Sequence, residues 1–395
     1  MTYEEIQALH DQSLMPTYGR FPVALCGGHG ARAVDESGRE YIDFGAGIGV
    51  NALGYCDPGW VEAVQKQAAT AQHFSNLYYN DVQVAFAGEL CAAAHMSRAF
   101  LCNSGAEANE CAIKLARKYS YDTYGEGRHT IVTLVNSFHG RTVTTLSATG
   151  QESFHTLFYP FTEGFAYARA GDLDDLSGKL NGTVCAVLLE CVQGEGGVVP
   201  LDPGYLRGVE ALCRERDVLL MVDEVQTGAS RTGRFLACEH AGILPDVVTM
   251  AKGLGGGLPI GACLCGEKLK DVMGPGTHGS TFGGNPVACA AGRYMLSRLT
   301  DPALLQEVTR KGERIARRVS RMPDVQEVRG LGMMQGIVLR TLDAKAVAAA
   351  CVQNGLLILT AKTLLRLLPP LNIPDEDLEA GLDILESTLK GLVTV

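Results

Sequence analysis

Three segments of the sequence place chemically useful residues directly after short apolar runs. The first run ends at Cys102 and is followed by Ser104, with Glu107 three residues later, a capping box that starts a helix. The free backbone N–H groups of Gly105 and Ala106, together with the helix dipole, suit a phosphate. An ordinary capped helix is the alternative interpretation of this segment.

The other two segments supply an acid and a lysine. Asp223 and Glu224 follow the apolar run 218–222, and a carboxylate at the end of a buried strand is costly to desolvate, so it usually has a partner. Lys252 follows the run 247–250 and enters a glycine-rich loop. Imine formation with a carbonyl requires such a partly desolvated lysine with a lowered pKa. Taken singly, the acid is equally well explained as a buried structural carboxylate, and a lone lysine at a strand end is more often a solvated charge.

Together, the three features predict a site for pyridoxal phosphate. In this order on one parallel sheet they converge at its carboxyl edge, where ligands bind in such sheets. The phosphate of this cofactor needs the helix end, its aldehyde needs a lysine, and its ring nitrogen needs a carboxylate that keeps it protonated. Competing motifs are weak, because the loose G-x-G-x-x-A matches at 28–33 and 47–52 follow no convincing strand and no P-loop G-K-[ST] exists.

The elements that must position these residues indicate an α/β protein. Short apolar runs alternate with helical patterns from about residue 98, as buried parallel strands with helical crossovers do. Strands are expected at 99–102, 130–135, 184–189, 218–222, 247–250 and 262–265. A hairpin is expected over 33–43. We expect a large cofactor-binding domain over 66–284, and a smaller α+β domain built from both chain ends, over 1–65 and 285–395.

Composition and charge argue against several classes of protein. The chain has 395 residues, 46% hydrophobic and 20% charged, and its net charge of −10 argues against nucleic-acid binding. No apolar stretch approaches the roughly 18 residues of a membrane span, and the acidic start does not resemble a signal peptide, so we expect a cytoplasmic protein. The 13 cysteines include no C-x-x-C pair, and His139 and His278 are isolated in sequence, so no disulfide framework and no metal site is expected.

The motifs resemble those of the class III pyridoxal-phosphate aminotransferases over nearly the whole chain. The segments that carry the resemblance are NSGAEAN at 103–109, FHGRT at 138–142, QGEGG at 193–197, DEVQTG at 223–228, RTGRF at 231–235, AKGLGGG at 251–257 and HGSTFGGNP at 278–286. The resemblance implies fold type I, with a mostly parallel sheet in the large domain. It also implies a homodimer with shared active sites. The departures from the family pattern are Ala106, Cys191, Ala229, Ser230 and a stretch over 360–366 that is one residue tighter.

The resemblance assigns roles in the cofactor site. Lys252 holds the cofactor as an imine and then moves the proton between substrate and cofactor. Asp223 pairs with the pyridine nitrogen, and Gln226 bonds the ring hydroxyl. The other expected cofactor contacts are Gly105, Ala106, Phe138, Glu224, Val225 and, from the partner subunit, Thr281.

The resemblance also assigns residues to the substrate. Arg141 binds a carboxylate far from the reacting amine, for which a planar guanidinium is well shaped. Glu195 and Arg366 resemble the switch pair of the family: joined, they neutralise the pocket for an ω-amine donor, and parted, they free Arg366 for the α-carboxylate of glutamate or 2-oxoglutarate. Ser280 is a further expected substrate contact.

Within the class, segments 47–54 and 75–80 resemble the arginine-synthesis members that move the distal amine of N-acetylornithine to 2-oxoglutarate. Donors such as succinylornithine, succinyldiaminopimelate, ornithine or 4-aminobutyrate stay open as alternatives. Ile48 stands where ornithine-specific members have a tyrosine, which counts against free ornithine. Weaker alternatives are an aminomutase, which needs no amine acceptor, and a catalytically silent binding protein on the same fold.

Overall fold

A computed structural model describes residues 1–393, in which helices and strands alternate through the middle of the chain. The strands are β1 (Leu25–His29), β2 (Arg32–Asp35), β3 (Glu40–Asp43), β4 (Arg98–Cys102), β5 (Thr130–Leu134), β6 (Phe165–Ala168), β7 (Val184–Leu189), β8 (Val192–Gln193), β9 (Val199–Pro200), β10 (Leu219–Asp223), β11 (Val247–Met250), β12 (Gly261–Cys265), β13 (Val325–Leu331), β14 (Met334–Leu339), β15 (Leu356–Leu357), β16 (Leu359–Ala361) and β17 (Leu364–Leu367). The helices are α1 (Tyr3–Ser13), α2 (Ala46–Gly49), α3 (Pro58–Thr70), α4 (Asp81–Ala93), α5 (Gly105–Tyr124), α6 (Val143–Ala148), α7 (Leu173–Lys179), α8 (Pro203–Glu215), α9 (Pro286–Leu299), α10 (Pro302–Val319), α11 (Ala344–Gln353) and α12 (Asp375–Val393).

The central sheet has the strand order β4-β12-β11-β10-β7-β5-β6 and is mostly parallel. Strands β11, β10, β7, β5 and β6 run in one direction, whereas β12 is antiparallel to both of its neighbours. The expectation of parallel strands was wrong for β12, because the loop that joins it to β11 contains only a single 3-10 turn and no crossover helix. Burial on both faces explains the continuous apolar run of β7, in which every residue is buried.

The core of the protein lies on both faces of this sheet. On one face, Ala112 and Leu115 of α5 pack into the same cluster as Leu188 and Met221. The other face belongs to a larger cluster that extends from Val222 into the segments near the two chain ends. Half of the capping box predicted at Ser104 is present: the Ser104 hydroxyl accepts a hydrogen bond from the backbone N–H of Glu107, whereas the Glu107 carboxylate accepts from the backbone N–H of Asn103 instead of that of Ser104. The start of α5 is therefore fixed at the carboxyl end of β4.

The two ends of the chain pack against each other. The expected hairpin is formed by β2 and β3, and β15 then pairs in parallel with β3, placing Leu356 opposite Ile42. Phe44 is fully buried and its ring lies directly against Gly381 of α12, where an added Cβ would come within 2.3 Å of it. A further sheet, β13-β14-β17-β16, is built from the C-terminal part alone. The domain limits at residues 65 and 284 stay a prediction.

The cysteines and helices give no sign of a metal or a membrane within residues 1–393. All 13 cysteines are free of disulfides, and ten of them are buried. Across that range, no group of three or more His, Cys, Asp or Glu side chains could hold a metal ion. No helix of the described chain combines the length and the apolar character that crossing a bilayer needs.

Candidate active site

A cavity of about 550 Å³ opens at the carboxyl edge of the central sheet. Its wall brings together the three segments that the sequence singled out, from the start of α5, the end of β10 and the loop after β11. The predicted residues that line it are Gly105, Ala106, Phe138, Arg141, Asp223, Val225, Gln226 and Lys252. The convergence predicted from strand ends is therefore present in the fold.

The start of α5 has the close packing that a phosphate cradle requires. A Cβ added to Gly105 would lie 2.6 Å from a methyl carbon of Val225, so only glycine allows the helix to begin this close to that side chain. The carboxylate of Glu107 turns back and accepts from the backbone N–H of Asn103 at 2.8 Å. The helix N-terminus thus faces the cavity with its N–H groups and its positive dipole end.

Asp223 lies at the centre of a buried hydrogen-bond network. Its Oδ2 atom is 2.8 Å from both Asn109 Nδ2 and His139 Nδ1, and its Oδ1 accepts from the backbone N–H of Val225 at 3.0 Å. The Asn109 amide is itself fixed, because Nδ2 also donates to the carbonyl of His139 and Oδ1 accepts from the hydroxyl of Thr249 at 2.7 Å. The network fixes the orientation of the Asp223 carboxylate, which is only 4% exposed. Pairing with a cationic ring nitrogen requires a carboxylate that is oriented in this way.

Lys252 follows β11 in a left-handed backbone conformation, with φ of 51°. This conformation is costly for a residue with a Cβ, and such strain is concentrated at functional sites. Burial lowers the pKa of the Lys252 amine, against the opposing effect of the Glu195 carboxylate. Lys252 therefore loses its proton more readily than an ordinary lysine, which a nucleophilic amine needs.

Glu190 joins two loops at the wall of the cavity. One carboxylate oxygen accepts from the backbone N–H of Phe138 at 2.8 Å, and the other from that of Gly194 at 3.1 Å. Burial raises the pKa of Glu190 to about 7. The bonds from Glu190 hold the backbone that carries the Phe138 ring.

The predicted switch pair is joined. Arg366 Nη1 donates to Glu195 Oε1 at 2.6 Å and to Gln226 Oε1 at 3.0 Å, and the arginine is 3% exposed. Burial alone would raise the pKa of Glu195, but the Arg366 guanidinium holds it below its usual range. Although the chain is tighter over 360–366, β17 pairs Arg366 with Gly336 of β14 and still directs its side chain to Glu195. Both residues of the pair contact the side chain of Gln226, which lines the cavity.

Five predicted site residues do not line the cavity wall: Glu195 and Arg366, which contact the lining residue Gln226, and Glu224, Ser280 and Thr281. The Glu224 carboxylate accepts from the Thr227 hydroxyl and from the backbone N–H of Cys238, so its contact with the cofactor stays a prediction. Thr281 is exposed and does not line the cavity of its own chain. Ser280 is adjacent to the wall, since its hydroxyl accepts from Asn103 Nδ2 at 3.2 Å.

Sequence reasoning assigned no role in the site to three residues that line the cavity: Asn109, His139 and Glu190. A signal for Asn109 existed, because it is a polar residue among the mostly apolar buried residues of α5, which include Ala108 and Ala112. His139 gave no such signal, because its partner Asp223 is 84 residues away in the chain.

Comparison with known proteins identifies the family of this chain. The family model described as aminotransferase class-III matches residues 15–389. The acetylornithine aminotransferase of Haemophilus ducreyi is 48% identical over 394 residues, covering 99% of this chain and 100% of that protein.

Two solved structures resemble the fold closely. N-acetylornithine aminotransferase from Stenotrophomonas maltophilia K279a is 37% identical, with a TM-score of 0.85 over 98% of this chain and 99% of that one. Ornithine aminotransferase from Toxoplasma gondii, described with partial occupancy of PLP at its active site, is 34% identical, with a TM-score of 0.95 over 100% of this chain and 96% of that one. The expected fold class and family are confirmed. The chain belongs to the class III aminotransferases and is a transaminase.

Proposed function

We propose that this transaminase uses pyridoxal phosphate to move the distal amine of N2-acetyl-L-ornithine to 2-oxoglutarate, giving N-acetyl-L-glutamate 5-semialdehyde and L-glutamate. The observation that carries the proposal is the meeting of Lys252, Asp223 and the start of α5 around one cavity. The choice of donor is supported by the 48% identity to a full-length acetylornithine aminotransferase.

The residues of the cavity fit the cofactor group by group. The N–H groups of Gly105 and Ala106 hold the phosphate, Asp223 pairs with the ring nitrogen, and Gln226 bonds the ring hydroxyl. Phe138 and Val225 supply apolar contacts for the ring faces. When bound, pyridoxal phosphate supplies an electron-accepting ring that stabilises the charge developing at the substrate carbon.

Lys252 and Asp223 divide the proton chemistry. The Lys252 Nζ atom, whose pKa is lowered by burial, would accept the proton that leaves the substrate carbon and would later donate it back. Asp223, fixed by Asn109 and His139, keeps the proton on the ring nitrogen throughout. Lys252 moves a proton, whereas Asp223 keeps one in place because several hydrogen bonds hold its carboxylate.

Two arginines provide for two differently shaped substrates. Arg141 binds the carboxylate of N-acetylornithine, while Glu195 keeps Arg366 occupied and the inner pocket close to neutral. When 2-oxoglutarate enters, its second carboxylate takes Arg366 from Glu195, and Arg141 again holds the distant carboxylate. Ser280 lies beside the cavity wall as a further polar contact. One site thus serves both halves of the exchange.

The proposed assembly is a homodimer with shared sites. Three large side chains, Leu77, Tyr79 and Phe282, are 87%, 104% and 63% exposed. Large apolar side chains that are exposed together mark protein–protein interaction sites. Asn76 joins their two segments, since its Nδ2 donates to the carbonyls of Ser280 and Gly283. A second copy covering this surface brings Thr281 to the partner's site. Light scattering during gel filtration should give twice the chain mass of 42.1 kDa, and a stable monomer would contradict the assembly.

The donor is tested by comparing kcat/KM for N-acetylornithine, succinylornithine, succinyldiaminopimelate, ornithine and 4-aminobutyrate with 2-oxoglutarate as acceptor. We expect the highest value for N-acetylornithine and no turnover without the acceptor. A higher value for another donor would overturn the substrate while leaving the cofactor roles. Sustained turnover without 2-oxoglutarate would instead favour an aminomutase.

A further inference from the structure

We propose that Phe154 is a positioning residue of the substrate site, whose ring carries the Arg141 guanidinium and presents it uncommitted to the substrate carboxylate. The inference deepens the proposed function and rests on it, because N-acetylornithine supplies that carboxylate. Arg141 is exposed at the mouth of the cavity, where a long side chain has many rotamers to lose on binding.

The guanidinium of Arg141 lies over an aromatic face. Its central carbon is 4.1 Å from the centre of the Phe154 ring and 5.6 Å from that of Phe138. The two rings are themselves in edge contact, with centres 6.2 Å apart and planes inclined by 71°. Arg141 therefore rests on a ring that is packed against the residue expected to stack on the cofactor.

The Phe154 ring is held in place from both sides of its turn. Before it, Gln151 is buried and donates from Nε2 to the carbonyl of Ser137, and the Phe154 N–H donates to the Gln151 carbonyl at 3.0 Å. After it, His155 Nε2 lies 2.9 Å from the carbonyl of Leu146 in α6 and donates to it. Phe154 is thus fixed relative to the cavity wall despite lying in a surface loop.

The two substrate arginines are held by different chemistry. Arg366 is bound by the Glu195 carboxylate, which accepts from its Nη1 and balances its charge. Among residues 1–393, Arg141 has no acidic side chain within ion-pair distance. An aromatic face orients the guanidinium plane but leaves the N–H donors at its edge free. Arg141 is therefore available to a carboxylate at all times, whereas Arg366 must first be released.

A substrate pair that differs only in the carboxylate provides the test. N-acetylputrescine is N-acetylornithine without the carboxylate, so Arg141 contributes to the binding of N-acetylornithine alone. Phe154→Leu removes the ring face, Phe154→Tyr retains it, and Phe158→Leu removes an exposed ring of the same loop as a matched control. The donor half-reaction of each variant is followed by the visible absorbance of the lysine-bound cofactor, with either donor and no acceptor.

For Phe154→Leu we expect the concentration of N-acetylornithine giving half-maximal rate to rise about 3- to 30-fold, with little change in maximal rate, and N-acetylputrescine to be unaffected. Phe154→Tyr and Phe158→Leu should match the wild type. An unchanged response to N-acetylornithine, or an equal loss for both donors, would overturn the role of Phe154. If the wild-type protein itself does not react with N-acetylornithine, the proposed function fails instead.

Discussion

The guanidinium of Arg366 links the predicted switch acid to the cofactor site, since Nη1 lies 2.6 Å from Glu195 Oε1 and 3.0 Å from Gln226 Oε1. Gln226 Nε2 in turn lies 3.4 Å from the same Glu195 oxygen, which closes a triangle of three side chains. Release of Arg366 for a substrate carboxylate therefore also alters the surroundings of the residue proposed to bond the cofactor. We therefore expect substrate exchange and the cofactor environment to be coupled at this point.

Glu195→Gln tests the switch. The amide keeps the shape of the side chain but removes the charge that holds Arg366, so Arg366 is free for an α-carboxylate in every step. We expect the half-saturating glutamate concentration to fall by about tenfold in the reverse half-reaction, and the reaction with N-acetylornithine to slow. The measurement is the ratio of kcat/KM for glutamate to kcat/KM for N-acetylornithine in the two half-reactions. An unchanged ratio would show that Glu195 does not control Arg366.

The lowered pKa of Lys252 predicts the pH dependence of cofactor attachment. Only the uncharged amine attacks a carbonyl, and a lowered pKa enlarges the uncharged fraction at any given pH. The rate at which apo-protein gains visible absorbance after addition of pyridoxal phosphate should rise with pH, with a midpoint below that of an ordinary lysine. Lys252→Ala should give no such absorbance. A midpoint at or above that of free lysine would contradict the effect of burial.

Asp223→Asn tests the ring-nitrogen partner. The amide can stay within the network of Asn109 and His139, but it cannot hold a positive charge on the ring nitrogen. We expect kcat to fall by about 100-fold or more while the protein stays folded, because electrostatic stabilisation of developing charge has this magnitude. Circular dichroism provides the control for folding. A loss of less than about threefold would remove Asp223 from the mechanism.

Gly105→Ala tests the phosphate cradle. The new Cβ would lie 2.6 Å from Val225, so the start of α5 or that side chain must move, and we expect the Kd for pyridoxal phosphate to rise at least about tenfold. Gly88→Ala is the matched control, because Gly88 is exposed within α4 with no atom within 4 Å of an added Cβ. That variant should be more stable by roughly 0.5–1 kcal/mol, with unchanged cofactor affinity.

Much of the fold was predictable because its strands are continuous apolar runs. The run 184–189 coincides with β7, and 247–250 coincides with β11. The edge strand β6 was not expected, since it spans only Phe165–Ala168 and three of its four residues are half-buried. The direction of β12 could not be read from its composition, because an apolar run is the same in either direction.

The predictable part of the site is the part that follows strand ends. Asp223 is the last residue of the buried strand β10 and Lys252 lies two residues after the buried strand β11, so the topology brings them to one edge. Adjacent residues at the end of a strand point in opposite directions, which explains why Glu224 faces Thr227 and Cys238 while Asp223 faces the cavity. The network through Asn109 and His139 depends on contacts between distant segments, which spacing alone does not reveal.

The most direct test of the account is the visible spectrum of purified, cofactor-loaded protein when N-acetylornithine is added without an acceptor. We predict rapid loss of the absorbance of the lysine-bound cofactor, complete recovery on addition of 2-oxoglutarate, and no such absorbance in Lys252→Ala. The proposed donor would be contradicted if N-acetylornithine left the spectrum unchanged and another ω-amine removed the absorbance. Absence of the absorbance from the loaded wild-type protein would contradict the assignment of Lys252 itself.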